Sequence, residues 1–356
     1  MFTVIVFILI LSFLVLIHEF GHFWVAKRSG IKVEEFGLGL PPRIFGIKKG
    51  ETLYSLNALP FGGFVRLFGE EEAVSGAILT EAEKSRAFFA KKPLQRAAVI
   101  LAGPVMNFIL AVVILSVLFI KGVYLPATNI RIVEVSKKSP AATVGLKLND
   151  VIKEARSGGK SYSVTSSNDI ISLSKKFAGE KIVLVVSREN RTHMFNVTPR
   201  KNPPKGQGSM GIIISQYEYK KAVWYKAPIV GLSTALVISK EFYGELFGAL
   251  SQLAHFKDPH IAVAGPVGIA KISGEAARSG VQTLALFVSL LSLNLALINI
   301  LPFPALDGGQ LFMIIIEAIT RRKISPVLRA RINTVGFALL IVLILLVTVR
   351  DIQGLF

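Results

Sequence analysis

The sequence predicts a polytopic α-helical membrane protein with four transmembrane helices, a β-rich segment after the first helix and one small α+β domain. The chain has 356 residues, of which 52% are hydrophobic and only 18% are charged, whereas soluble domains carry about 25% charged residues. Crossing a bilayer takes ~20 apolar residues. Four runs that are nearly free of charge meet this length, at 1–26, 97–120, 279–306 and 332–349.

The first run differs from a cleaved signal peptide. A signal peptide has a basic segment before a short apolar stretch and a small-residue cleavage site after it. No Lys or Arg precedes Lys27, and the run is long enough to span a membrane. We therefore expect a retained transmembrane helix.

The net charge of +18 follows from where the basic residues lie and does not require the protein to bind nucleic acid. Twelve Lys and Arg lie in 27–96, and five lie in 320–331 with no acidic residue among them. These stretches follow the first and third runs, and loops rich in Lys and Arg face the cytoplasm. We expect the N-terminus and the 122–282 region to be extracytoplasmic.

The loops between the runs differ in character. Residues 31–69 combine short alternating stretches with many Gly and Pro, which favours strands and turns. Within 129–200, three stretches have β-type composition and 166–177 has helical spacing. Residues 222–256 are apolar but are interrupted by Lys240, Glu241 and Glu245. We interpret them as an interfacial amphipathic helix, with a fifth span as the alternative.

The predicted organisation therefore has seven parts. They are the first transmembrane helix (1–26), a cytoplasmic or membrane-associated β-rich region and connector (27–96), the second helix (97–120), the α+β domain (122–203), an extracytoplasmic amphipathic region (204–278), the third helix (279–319) and the fourth (332–349).

The first run contains the chemistry-bearing motif, His18-Glu19-x-x-His22. Residues four apart share one face of a helix, so the two imidazoles can bind one ion. Two His with one carboxylate and an open position for water suit zinc, and Glu19 is then the general base for that water. A chance group of polar residues is the alternative, but ionisable residues inside a membrane are costly and usually functional.

A third ligand is expected from another segment, and with no cysteine in the chain it must be a carboxylate or a histidine. Asp307 follows a helix broken by prolines and precedes two glycines, and it is the only acidic residue between Glu275 and Glu317. We predict Asp307 as that ligand, with a helix cap as the alternative. The other histidines are predicted at the surface of the extracytoplasmic region, and they are His193, His255 and His260.

These motifs give the chain a family likeness. "HEFGH" at 18–22 together with "NILPFPALDGG" at 299–309 resembles the site-2 protease family (M50) of intramembrane zinc metalloproteases. Further stretches resemble the bacterial regulator-of-sigma-E protease group. They are "FGLG" (36–39), "NALPFGGFVRL" (57–67), "LAGPVMNF" (101–108), "SPAATVGLKLNDVI" (139–152) and "VAGPVGIA" (263–270).

The resemblance implies further structure and further site residues. The 122–203 unit is similar to a PDZ domain, and 31–69 is similar to a membrane-associated β-hairpin whose edge pairs with an extended substrate. By position in the family motifs, the substrate-binding residues are Asn299, Pro302, Pro304, Gly37 and Gly39. The prolines and Asn299 have a purely structural alternative, which is to shape the helix break. Gln310 stands where relatives often have His.

We therefore predict one Zn²⁺ per chain, bound by His18, His22 and Asp307, in a protease of the bacterial cytoplasmic (inner) membrane. The expected substrates are single-span membrane proteins, namely an anti-sigma factor already shortened by another protease or a signal-peptide remnant. The expected partners are these substrates and the lipid bilayer, with no nucleic acid. Two alternatives remain, a metal-binding membrane transporter and a PDZ scaffold without activity. A transporter predicts an internal repeat, which the sequence lacks, and leaves Glu19 without a role.

Overall fold

The structure is a computed structural model. It divides into two units, 1–120 with 223–356 and Lys121–Ala222, which are described separately below. The described residues are 1–70, 80–164, 166–189, 191–204, 207–255 and 265–353, with the backbone alone described at 61, 126–128, 218, 253, 254 and 326.

Four helices of the first unit are long and apolar enough to cross a membrane. Among the described residues they are α1 (Phe2–Arg28), α3 (Pro93–Lys121), α8 (Val281–Ile300) and α10 (Pro326–Gln353). Each contains one of the four predicted runs or most of it. Helices α1, α3 and α10 extend past their runs at ends that carry Lys or Arg, whereas α8 begins at Val281 and ends at Ile300, inside its run.

Four further helices complete the α-helical part of the first unit as described. They are α2 (Glu81–Arg86), α6 (Ala227–Ala254), α7 (Pro266–Arg278) and α9 (Asp307–Thr320), and a short 3-10 turn lies at Phe88–Ala90. Helix α6 covers most of the 222–256 segment and is not among the four candidate spans. Its position in or on the membrane stays a prediction.

Contacts of α6 with two candidate spans show where its first half lies. A Cβ added at Gly231 would stand 2.4 Å from Ser116 Oγ of α3, so the two helices touch there. Twelve residues further on, the Tyr243 hydroxyl donates to the Leu297 carbonyl at 3.1 Å, near the end of α8. Helix α6 therefore runs along the bundle from α3 to α8.

The predicted strands of 31–69 form two long, bent strands, β1 (Val33–Lys49) and β2 (Thr52–Leu67). The second half of β1 pairs with the first half of β2 as a hairpin, around a turn at Gly50 that has φ +64°. The first half of β1 pairs on both sides, so Leu38 faces Gly63 on one side and Leu56 on the other. The result is a compact sheet in which the start of β1 lies between the two halves of β2.

This sheet packs along the helix that carries the HExxH motif. Ser12 Oγ donates to the Pro60 carbonyl at 2.7 Å, and a Cβ at Gly62 would lie 3.5 Å from Val15 Cγ1. Ser12 is far from both ends of α1. The end of β2 therefore lies beside the middle of a candidate span, where the serine hydroxyl supplies a hydrogen bond that lipid cannot.

The second unit is the predicted α+β domain. Its sheet has the strand order β7-β6-β4-β3-β8, with β5 paired to β4. The strands are β3 (Val123–Val135), β4 (Val151–Ser157), β5 (Lys160–Ser163), β6 (Ile182–Arg188), β7 (Arg191–Val197) and β8 (Ile212–Lys220), and the helices are α4 (Pro140–Thr143) and α5 (Ser167–Lys176). Strand β8 lies beyond the domain boundary predicted at 203. The composition predicts that boundary because the Gly- and Pro-rich 202–209 stretch resembles a linker, but the sheet continues after it.

Local signals account for much of this domain. Ser166 and Asp169 form a capping box at the start of α5, which satisfies two free N–H groups. Asp150 is fully buried and accepts two hydrogen bonds from Arg188, both at 2.7 Å, and one from the Lys147 N–H at 2.8 Å. Burial alone would raise the pKa of Asp150, but these hydrogen bonds outweigh it and lower the pKa.

Candidate metal centre

His18 and His22 project from one face of α1 into the interior of the first unit. Both are buried, with 7% and 6% of their surface exposed. Their Nε2 atoms are 3.1 Å apart and the rings meet edge to face. The spacing of four residues along the helix therefore brings the two imidazole nitrogens to one point.

The chain between α8 and α9 carries Asp307 to the same point. Helix α8 ends at Ile300, and α9 begins at Asp307. A Cβ at Gly308 would stand 2.2 Å from the Ile300 and Leu301 carbonyl oxygens, and one at Gly309 would stand 2.3 Å from the Phe303 carbonyl. The two glycines are therefore required for α9 to begin directly against the broken end of α8.

The Asp307 carboxylate meets both imidazoles. Its Oδ2 lies 2.9 Å from His18 Nε2 and 3.5 Å from His22 Nε2. This buried oxygen has no hydrogen-bond partner among the described residues. In the described part of the chain, these three residues are the one group whose ligand atoms all lie within 4.8 Å of one another.

This arrangement fits a metal ion better than a hydrogen-bonded cluster. Two imidazole nitrogens and a carboxylate oxygen converge, and a buried carboxylate oxygen without a partner is costly. Two histidines and one carboxylate are a ligand set that zinc takes in catalytic sites. The residues present are therefore suited to hold zinc.

Helix α3 packs directly against the two histidines. A Cβ at Gly103 would stand 2.3 Å from His22 Nε2 and 2.7 Å from His18 Nε2, and one at Gly21 would stand 2.3 Å from the Ala102 carbonyl. Small residues at these two positions let α1 and α3 approach closely, as in other membrane helix pairs. His22 Nδ1 lies 2.8 Å from the Val99 carbonyl, which fixes that ring.

Glu19 is oriented by the β-sheet. It lies half-buried on α1 between the two histidines in sequence, and its Oε2 accepts a hydrogen bond from the Val65 N–H at 3.1 Å. Val65 is in the last part of β2 and its N–H points away from β1. Gly63 is also close, since a Cβ there would lie 3.8 Å from Glu19 Cγ. The free edge of β2 therefore faces the Glu19 carboxylate.

Comparison with known proteins agrees with this geometry. The sequence profile of Peptidase family M50 matches residues 6–343. The chain belongs to this peptidase family. It is 32% identical to "Regulator of sigma-W protease RasP" of Bacillus subtilis, with 99% of each chain covered. It is 29% identical to "Zinc metalloprotease RasP" of Geobacillus kaustophilus, with 99% of this chain and 98% of the relative covered.

The predicted family, the zinc cofactor and the metalloprotease activity are thus confirmed. This M50 chain is a membrane protein, with four helices long and apolar enough to span.

The predicted substrate-binding residues of this M50 peptidase lie in two places. Asn299 is half-buried in the last turn of α8, and Pro302 and Pro304 lie in the segment before Asp307. A Cβ at Gly336 of α10 would stand 2.2 Å from Pro304 Cβ, so Pro304 packs against that helix.

Gly37 and Gly39 lie within β1, and both are sterically required. A Cβ at Gly37 would stand 2.4 Å from the Phe64 ring, and Gly39 has φ +78° with the Leu59 carbonyl 2.5 Å from where a Cβ would be. These contacts explain the two glycines by the packing of the sheet. Their role toward substrate stays a prediction.

The remaining histidines lie away from the metal centre in sequence. His193 is exposed on β7 of the second unit, and His255 Nδ1 contacts the Ser251 carbonyl at 2.7 Å. His260 lies outside the described residues.

Sequence reasoning missed three groups that contact the predicted site residues. They are Asn107, whose amide reaches His18, and the main-chain groups of Val99 and Val65. Asn107 was detectable, because a lone asparagine in an apolar helix, four residues after Gly103, is as unusual as Glu19 in α1. The main-chain groups leave no signal in the sequence.

Proposed function

We propose that the chain is an intramembrane zinc metalloprotease that cleaves single-span membrane proteins in regulated intramembrane proteolysis. One observation carries this proposal. Three ligand atoms, from His18 and His22 on one candidate span and from Asp307 at the broken end of another, lie within 4.8 Å of one another. Such a centre lies within the depth of the membrane.

In this mechanism His18, His22 and Asp307 hold the zinc ion. When bound, zinc lowers the pKa of a water molecule and polarises the scissile carbonyl. Glu19 accepts the proton of the attacking water on its carboxylate and then donates it to the leaving amine. The hydrogen bond from the Val65 N–H supports this role, because it holds the carboxylate on the side of the β2 edge.

The edge of β2 is the proposed substrate platform. A transmembrane helix must unwind before its peptide bond can reach a catalytic centre, and an unwound segment can add as a strand to an open sheet edge. The end of β2 reaches the middle of α1 at Ser12 and passes Glu19 at Val65. A segment paired there would lie next to the general base, and Asn299, Pro302, Pro304, Gly37 and Gly39 belong to the elements that border this position.

The substrate class follows from the family and from a relative's name. A relative is named as a regulator of sigma-W protease, and the motifs resemble the regulator-of-sigma-E group. We propose a membrane-bound anti-sigma factor already shortened by another protease, or a signal-peptide remnant, as substrate. Both are single apolar spans with little mass outside the membrane.

The second unit is proposed to be a PDZ-like domain outside the cytoplasm. Its antiparallel sheet with two short helices and the "SPAATVGLKLNDVI" stretch support the first part. The basic 27–96 and 320–331 loops support the orientation, with the protein in the bacterial cytoplasmic (inner) membrane. There the domain acts as a filter that excludes substrates with intact ectodomains, and a passive ectodomain or peptide-binding adaptor is the alternative role.

Cleavage of a model single-span substrate by wild type and by Glu19→Gln tests the proposal, with zinc measured in both proteins. The variant keeps a similar shape but cannot accept a proton, so we expect retained zinc and a loss of cleavage of at least about 100-fold. Glu241→Gln on α6 is the matched control and should cleave as wild type does. Zinc-loaded wild type that cleaves no truncated single-span substrate would instead favour the transporter or scaffold.

A further inference from the structure

Asn107 is the polar side chain at the metal centre that the proposed mechanism leaves unused. Only 1% of its surface is exposed, and it lies on the apolar helix α3. Its Nδ2 is 3.4 Å from His18 Nδ1, and its Oδ1 has no hydrogen-bond partner among the described residues. A buried acceptor without a partner is costly, so the orientation of this amide calls for an explanation.

The contact of His22 with a carbonyl oxygen shows how an acceptor fixes the position of the ring proton. His22 Nδ1 faces the Val99 carbonyl at 2.8 Å, and a carbonyl can only accept. The ring proton of His22 therefore resides on Nδ1, and Nε2 offers its lone pair toward Asp307. Metal-binding histidines are usually held in this way, with the second ring nitrogen donating to an oxygen.

To bind a metal through Nε2, His18 must also carry its ring proton on Nδ1. The group that faces this nitrogen, however, is the NH₂ of the Asn107 amide. With the proton on His18 Nδ1, two donors would meet, the ring N–H and the amide NH₂. Rotating the Asn107 amide by 180° exchanges its nitrogen and oxygen. The ring N–H then donates to Oδ1, and the unpartnered oxygen gains its hydrogen bond.

We propose that Asn107 is a positioning residue that accepts a hydrogen bond from His18 Nδ1 and so holds Nε2 ready to bind zinc. The inference rests on the proposed ligand set. Ser292 Oγ of α8 also donates to the main-chain carbonyl of Asn107, at 2.8 Å. Helix α3 thus supplies an oxygen to each histidine, Val99 for His22 and Asn107 for His18.

Zinc binding by the purified full-length chain tests this role without an activity assay. We would measure zinc affinity by chelator competition, and the visible spectrum of the Co²⁺-loaded protein, for Asn107→Leu, Asn107→Asp and Ser292→Ala. Leu has a similar size but no acceptor, and we expect it to weaken zinc binding about 10–100-fold and to change the Co²⁺ spectrum. Asp keeps the acceptor and should bind zinc nearly as wild type does.

Ser292→Ala is the matched control, because it removes a hydrogen bond of the Asn107 main chain and leaves the amide in place. It should bind zinc as wild type does. Wild-type affinity in Asn107→Leu would overturn the inference. An equal loss in all three variants, with a lowered unfolding temperature, would overturn it in favour of a packing role.

Different experimental results would contradict the role of Asn107 and the proposed function. Wild type that binds zinc but cleaves no membrane substrate would remove the proposed substrate class and leave the affinity comparison intact. Undiminished zinc affinity in His18→Ala would remove the ligand set, and with it the role of Asn107.

Discussion

Gly103 stands where the backbone of α3 passes the two imidazoles, and the space that it leaves open is the space that the rings occupy. Its missing side chain is as specific a feature as the histidines themselves. Gly21 does the same on α1 toward the Ala102 carbonyl. At the scale of single residues, the metal centre therefore depends on the lack of a side chain at Gly21 and Gly103 as much as on the three side chains that converge there.

Gly103→Ala should weaken zinc binding. The added Cβ would lie 2.3 Å from His22 Nε2, so a ring or the helix must move, and we expect zinc affinity to fall at least about tenfold. Zinc retained after dialysis against a chelator measures this. Gly244→Ala on α6 is the control, since a Cβ there meets nothing within 4 Å, and equal retention in both variants would contradict the steric argument.

The β1–β2 sheet connects the helix that carries the HExxH motif to the proposed substrate surface. It touches α1 at Ser12, near Val15 and at Glu19, three positions that follow one face of the helix. The main-chain groups at the edge of a sheet in a soluble protein can hydrogen-bond to water. Those at an edge beside a membrane helix need other hydrogen-bond partners. Ser12 and Glu19 satisfy part of this edge in the structure, and we propose that substrate pairs with more of it.

Val65→Pro removes the N–H that donates to Glu19. Proline is compatible with an edge position whose N–H points away from the sheet, so we expect zinc binding to persist while cleavage falls about 10–100-fold, as for other groups that orient a catalytic residue. Cleavage of the single-span substrate and zinc content are measured together. Val65→Thr retains the N–H and should remain active, and undiminished cleavage in Val65→Pro would show that the N–H does not orient Glu19.

At the scale of the whole first unit, a buried charge network connects three helices. Glu317 of α9 pairs with Arg96 of α3 and with Arg329 of α10, each at 2.8 Å, and also accepts from the Ile324 N–H at 3.0 Å. Arg96 is 4% exposed and Glu317 7% exposed. Asp307 begins the same helix, so this network anchors the helix that carries the third proposed ligand to α3 and α10.

Glu317→Ala should destabilise the protein strongly. It leaves Arg96 buried without a counter-charge, which costs about 3–5 kcal/mol. Denaturant unfolding in detergent micelles measures the loss. Glu241→Ala, an exposed carboxylate on α6, should change the free energy of unfolding by less than about 0.5 kcal/mol. Similar losses in the two variants would mean that the network does not hold the helices together.

The sequence by itself determined the features that depend on neighbours along the chain. Four apolar runs predicted the four candidate spans, the spacing of four residues put His18 and His22 on one helix face, and the prolines and glycines around Asp307 marked a broken helix. The position of Asp307 after that break also indicates it as their partner. Only the tertiary structure decided which further groups meet these residues, namely Asn107 with His18, the Val99 carbonyl with His22 and the Val65 N–H with Glu19. The reason is physical: helical periodicity is a local property, whereas contacts between α1, α3, β2 and α9 arise from packing, and main-chain donors carry no residue-specific signal.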